Sequence, residues 1–251
     1  MTPSWIAALN AALTREGIDV ERLGLAWARV TPAVTLIPAF GLRALPAPAR
    51  ALLALAMAAV IFPAVAGADP GAAGMWRASA LVWLLHALVE VARGLPVAIA
   101  AAVPLWAATM AGGVADALRG SNDAPTVPVV EGRATPTGVP MSLLASAIFL
   151  TTGGPSRVAR ALASDAGFAH PVVAAVRNIA EGTSVAVALG GPLLAASVVI
   201  EIAGALIARA ASPAQVHAIL APIRALVALA VLALVFGRLE AALETVIATA
   251  P

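Results

Sequence analysis

Cysteine, lysine and tyrosine are all missing from this chain of 251 residues. Without cysteine there is no disulfide and no thiolate metal site, and the redox compartment cannot be read. Without lysine, each of the 15 basic residues is an arginine that stays protonated. The arginines are scattered rather than clustered, so nucleic acid is not an expected partner. Charge of any kind is scarce, at 11% of residues, and basic and acidic groups nearly balance at 15 against 13. No long polar stretch is present that could form a second, soluble domain. The N-terminus lacks a basic region before an apolar core, and Thr14 to Arg22 is charged. It does not read as a signal peptide, and membrane entry is expected through uncleaved internal segments. There is no HExxH, no hydrolase elbow and no phosphate-binding glycine loop. His86, His170 and His217 share no ligand spacing, and only His86 has a carboxylate four residues on, at Glu90. A packing histidine explains that pair better than a metal does. No cofactor, metal or catalytic group is therefore expected.

What is abundant is apolar: 61% of residues, where an ordinary soluble domain has about half. There is too little polar surface to coat a water-facing globule of this length. The solvent is largely lipid or other protein. The chain has room for roughly 5–7 spanning or half-spanning helices at about 20 residues each. Alanine and leucine dominate, both helix-favouring, and alternation with period two is absent. The expected fold is all-α, a polytopic membrane protein with broken helices and helical hairpins, forming one membrane domain over residues 1–251.

Proline, glycine and single charges divide the apolar stretches. Residues 1–22 are mildly amphipathic. Residues 23–41 form a first stretch interrupted by Arg29, Pro32 and Pro38, and residues 51–66 a second that reaches Pro63. The stretch over 76–115 is too long for one crossing of a core about 30 Å thick. Glu90, Arg93, Gly94, Pro96 and Pro104 divide it, predicting two helices or a strongly bent pair. Residues 116–140 are the only long polar segment and predict a loop. Residues 141–152 are apolar but too short to span, and Gly153-Gly154-Pro155 stops the helix. Residues 156–181 suit an amphipathic or interfacial piece. A long apolar stretch over 183–208, a polar turn around Ser212-Pro213 and a last stretch over 218–237 predict a helical hairpin across 183–237.

Charges inside apolar segments need partners. A charge at a bilayer centre costs roughly 2.5–3.5 kcal/mol on insertion scales. Arg93 lies three residues beyond Glu90, on the same helix face, and can pair with it. Glu201 and Arg209 are eight residues apart and share a face without touching directly. These four, with Arg43, are the candidates for inter-helix or inter-subunit pairing. Arg29 and Arg43 read as interfacial anchors at helix ends.

Several spacings together resemble the FliR/SctT family of type III secretion export-apparatus proteins. Pro38-Ala-Phe40-Gly41-Leu-Arg43-Ala-Leu-Pro46, followed by Arg50, is similar to the family's early motif. Pro63 closes the next apolar run, and Glu90-Val-Ala-Arg-Gly94 resembles its Glu-x-x-x-Gly. Ala111-Gly112, Asp116 and Arg119-Gly120 look like the pattern that ends the third stretch, in a form leaning toward the injectisome branch. Phe149-Leu-Thr-Thr-Gly153-Gly154 is similar to the family's Phe-Leu-x-x-Gly-Gly. Pro192, Glu201, Gly204, Arg209 and Pro213 follow the closing hairpin, and Pro222-Ile-Arg224 resembles its Pro-x-Lys with Arg for Lys. Two departures stand at the hairpin tip. Ser212 looks like an extra residue before Pro213, and Ala214, Gln215 and Val216 replace the usual Asn.

The resemblance implies a non-catalytic subunit of the export gate at the bacterial inner membrane. It implies assembly with SctR/FliP-like and SctS/FliQ-like subunits and contact with a SctU/FlhB-like switch protein. A SctV/FlhA-like export protein, unfolded secretion substrates and membrane lipid complete the expected partners, and much of the complex would be raised above the bilayer plane. Asp116, Arg119, Gly120, Gly153 and Gly154 are then candidates for anchoring a gate loop over 116–140. A small-solute or proton-coupled transporter is the alternative, since broken helices and midplane carboxylates fit that class. An intramembrane enzyme ranks last, because no acid/base pair or nucleophile constellation is present.

Overall fold

The computed structural model describes residues 12–17, 19–40, 46–68, 79–118, 135, 137–164 and 170–210, and isolated positions between 222 and 241. Among the described residues there is no strand, and the all-α membrane fold stands. The helices are α1 (Val20–Leu36), α2 (Ala47–Ala68), α3 (Ala80–Leu118), α4 (Gly138–Thr151), α5 (Gly154–Ala163) and α6 (Pro171–Ala210), with a 3-10 turn at Pro38–Phe40. The windows Ala47–Val65 in α2 and Ala80–Val114 in α3 are long and apolar enough to cross a membrane. The first is mostly exposed along its length and the second mostly buried.

Local chemistry sets the helix ends. Asp19 caps α1, its carboxylate accepting from the Glu21 N–H at 2.9 Å. Pro171 opens α6 at a position where its missing N–H breaks no bond. Gly153 ends the α4 corner in the left-handed region, at φ 77°, where a side chain would be strained.

The prolines behave differently from the sequence expectation. The stretch expected as two helices or a strongly bent pair is continuous α-helix over 39 residues, with Pro96 and Pro104 inside it. Each proline removes an intrahelical hydrogen bond, at about 3 kcal/mol in an isolated helix. Here both are buried within the bundle. The amide of Asn178 on α6 donates to the Pro96 carbonyl at 2.9 Å. Pro32, Pro63 and Pro192 likewise lie inside α1, α2 and α6.

Three boundaries also move. The polar loop is shorter than expected, because Asp116–Leu118 completes α3 and Gly138 already opens α4. The mixed segment 156–181 is α5 followed by the first turns of α6. The apolar stretch expected from 183 is the continuation of a helix that starts at Pro171. The tip and most of the return arm of the 183–237 hairpin lie outside the described residues.

The bundle is organised around α3. It packs against α1, α4 and α6, and α5 touches α1, α2, α3 and α4 within ten residues. The core is rich in small side chains, including Ala26, Ala33, Ala54, Ala58, Ala98, Ala101, Ala102 and Ala108. Small residues let backbones approach, which is how helices associate where lipid supplies no hydrophobic drive. The larger members, Val30, Ile37, Ile61, Leu105, Phe149 and Leu162, fill the gaps between them. α1 and α3 run in the same direction, with Gly24 beneath the Trp83 ring and Gly94 against the Arg29 backbone. α6 follows α3 in the same sense, with Asn178 at Pro96 and Gly182 at Val103.

At Gly94 a Cβ would collide with the Arg29 carbonyl, a backbone atom with no freedom to swing away. Gly94→Ala is expected to lower stability by about 1–3 kcal/mol through overpacking. Gly113→Ala is the control, since its Cβ would meet only Thr135 side-chain atoms at 3.7 and 3.9 Å. The control is expected to be neutral or to gain up to about 1 kcal/mol from helix propensity. Thermal unfolding of both variants in detergent checks the pair.

Candidate functional site

Arg29, in the middle of α1, is buried at 3% exposure. An arginine there is not the interfacial anchor the sequence predicts. α3 presents Glu90, Arg93 and Gly94 on one face, at spacings of three and four residues. Gly94 admits the α1 backbone, and that approach brings the Arg29 side chain to Glu90. Arg29 Nε lies 2.5 Å from Glu90 Oε2, and Arg93 Nη1 lies 2.7 Å from Oε1. Each carboxylate oxygen thus has its own guanidinium. Arg29 Nη1 also donates to the Leu162 carbonyl at 3.2 Å. Leu162 is in the last turn of α5, where carbonyls lack intrahelical donors and the helix dipole favours a cation. One buried arginine therefore joins three helices.

A second junction closes the neck between α3 and α4. Gly112 on α3 lies against Gly138, the first residue of α4, so closely that a Cβ would overlap its backbone. One turn on, Asp116 is fully buried and accepts twice from Thr137. The Thr137 N–H donates to Asp116 Oδ2 at 2.6 Å and its hydroxyl to Oδ1 at 2.6 Å. The Gly138 N–H donates to Thr135 Oγ1 at 3.1 Å. Residues 116 and 137 are thereby held together regardless of the chain between them.

A third contact joins two segments distant in sequence. The Phe40 and Phe149 rings meet edge to face, with centroids 6.1 Å apart and planes at 83°. Phe149 covers Gly154, where any side chain would strike its ring and carbonyl. Arg157 then closes the corner, donating to the Thr152 carbonyl at 3.1 Å.

Of the residues singled out from sequence, Glu90 and Arg93 come together, Asp116 lies in the last turn of α3, and Gly153 and Gly154 lie at the junction of α4 and α5. Arg43, Arg119 and Gly120 lie outside the described residues. Glu201 and Arg209 are both exposed on the far half of α6, away from Glu90. His86 faces the Val82 carbonyl through Nδ1 at 2.9 Å rather than Glu90. Among the described residues, no group of three or more His, Cys, Asp or Glu could hold a metal ion. Sequence reasoning missed the Arg29–Glu90 pairing and the Thr137 clasp. An arginine with no acid within a turn on an apolar helix was the available signal for the first. What these groups do chemically is mechanical: they tie helices to one another.

Compared with known proteins, the chain matches the family model described as "Bacterial export proteins, family 1" over residues 20–250, nearly its whole length. No match was found among the curated proteins.

Removing Glu90 leaves Arg29 buried without its carboxylate, a loss of about 3–5 kcal/mol for buried pairs. Glu90→Gln is expected to fall in that range. The Arg93 side chain is 41% exposed. Arg93→Gln should therefore cost about 1 kcal/mol or less. Chemical unfolding in detergent separates the two. Asp116→Ala leaves the Thr137 N–H unsatisfied and is expected to cost about 1–3 kcal/mol. Faster cleavage by protease between α3 and α4 reports that loosening directly.

Proposed function

Because the chain belongs to the bacterial export proteins of family 1, the FliR/SctT family of the type III export apparatus, we propose that it is a non-catalytic subunit of the export gate. Family membership makes it an export-apparatus component that works in a membrane complex with other subunits. The finer reading is that it helps form the inner-membrane conduit for unfolded secreted proteins. Its neighbours there are SctR/FliP-like and SctS/FliQ-like chains, a SctU/FlhB-like switch protein and a SctV/FlhA-like export protein. Part of the assembly stands in the periplasm. Gating is conformational, with the energy supplied from outside this chain. The polar segment after α3, anchored through Asp116 at one end and the Gly153-Gly154 corner beyond α4, is the gate element in this reading. Glu201, Arg209 and Arg43 are its contacts to sister subunits.

The observation that carries this reading is a mismatch of length. α6 has 40 residues, an axial length of about 60 Å. Exposed apolar side chains run along it from Val172 and Val176 through Val187 and Val198 to Ile207. A hydrocarbon core is about 30 Å thick, and helix tilt rarely exceeds about 40°. Lipid alone cannot cover that face. Polypeptide takes the remainder, from the chain's own return arm and, as in a multi-subunit gate, from sister subunits.

Co-expression with the sister membrane subunits, followed by native mass measurement, tests this. The chain is expected to be recovered within a complex. The double substitution Val199→Glu and Leu206→Glu alters two exposed side chains and should reduce recovery of that complex at least roughly tenfold, since each buried charge costs several kcal/mol. A stable monomer, indifferent to the sister subunits and to these substitutions, would overturn the reading.

A further inference from the structure

α5 is a short amphipathic helix whose only charged side chains are basic. Its sequence, Gly-Pro-Ser-Arg-Val-Ala-Arg-Ala-Leu-Ala, holds two arginines and no acid, and the next acidic residue is Asp165, beyond the helix end. Gly154, Val158 and Leu162 are buried against the bundle. Ser156 and Arg160 are exposed on the opposite side. Arg160 has the Ser156 hydroxyl at 3.5 Å, a contact at the edge of hydrogen-bond reach. Arg157 is oriented by the Thr152 carbonyl at 3.1 Å and hydroxyl at 3.4 Å. α5 touches four helices within ten residues, so it crosses the bundle rather than running along one neighbour.

The helix that leads into α5 supplies the second observation. α4 has 14 residues, an axial length of about 21 Å, too short for a core of about 30 Å. Leu143, Ala147 and Leu150 form an exposed stripe on α4 at spacings of four and three residues. Leu143 and Leu150 are at least half exposed. That apolar stripe ends at the Gly153 corner, where the basic face of α5 begins. An apolar half-span ending on arginines of a crosswise amphipathic helix has the layout of a membrane–water interface.

We propose that α5 lies at the headgroup level and that Arg160, with Arg157 beside it, holds the phosphate of an anionic phospholipid while the α4 stripe sits in the adjoining leaflet. Guanidinium suits this task, since its planar fork of donors matches phosphate oxygens and it stays charged at any pH. A phospholipid supplies the apolar neighbour and the phosphate together, in one molecule. The proposal rests on the membrane location of the chain and not on its part in the gate.

Nanodiscs with defined lipid provide the test. The chain, alone or within its complex, is reconstituted in phosphatidylcholine with a minor fraction of phosphatidylglycerol. Lipids retained after detergent extraction are counted by native mass spectrometry. Phosphatidylglycerol is expected to be enriched several-fold over its bulk fraction. Arg160→Gln should reduce that enrichment at least threefold, and Arg160→Lys should retain part of it. Arg177→Gln is the control, because Arg177 is exposed but already paired with Glu181 at 2.7 Å. Equal retention in Arg160→Gln would overturn the proposal, and loss of enrichment whenever the sister subunits are present would assign the face to a protein partner and overturn it as well. A chain that does not enter the bilayer at all would overturn both the lipid site and the membrane location. A chain that enters normally, with no lipid preference, would overturn the lipid site alone.

Discussion

The contact on which the bundle depends is the buried meeting of Arg29 with Glu90. A carboxylate and a guanidinium on an apolar helix are each unfavourable alone. Together they compensate, and the Leu162 carbonyl takes a further donor of Arg29 at the end of α5. The pair does more than neutralise charge. It fixes the rotation of α1 and α3 about their axes, because both side chains must point inward at one level. Gly94, one turn beyond Glu90, sets how close the helices come. The four-residue spacing of Glu90 and Gly94 is thus one device, the acid for direction and the glycine for distance. Buried ion pairs add little net stability, and this one is better understood as specifying an arrangement.

The same logic recurs at the neck and the corner. Gly112 and Gly138 provide a close crossing, and the Asp116–Thr137 hydrogen bonds lock it. Phe149 provides bulk over Gly154, and Phe40 meets its edge. Each tie combines one small residue, which lets elements approach, with one polar or aromatic group that selects the geometry. A core rich in alanine has few bulky side chains to define register by shape. These sparse ties take over that role.

Such a bundle is incomplete by itself. Large apolar side chains remain exposed over the length of α6 and on the first half of α3, at Leu81, Leu84, Leu85 and Leu88. An export-apparatus subunit has a use for this. Internal ties keep its own helices in order while its outward faces remain available to lipid and to other chains. The short helices α4 and α5 form a corner in which apolar and basic faces adjoin, a different kind of surface from the long faces of α3 and α6.

Composition alone determined that this chain is helical and lives against lipid or protein: too few charges, too much alanine and leucine, no alternation of period two. The residues that form the ties were also legible as motifs, since glycine, aspartate and glutamate stand out in an apolar background. What local reading could not supply was the partner. Glu90 and Arg93 are neighbours on one helix and pair in any helical rendering, but Arg29 is 61 residues away from Glu90. The continuity of α3 through Pro96 and Pro104 escaped for a related reason. Proline acts locally to break a helix, and the burial of both prolines within the bundle is a tertiary fact that local reading does not contain. Tertiary structure decided which charge is interior, which proline is harmless and which ends of a polar segment are joined. Each outcome depends on groups brought together through space, and their separation along the chain carries no trace of it.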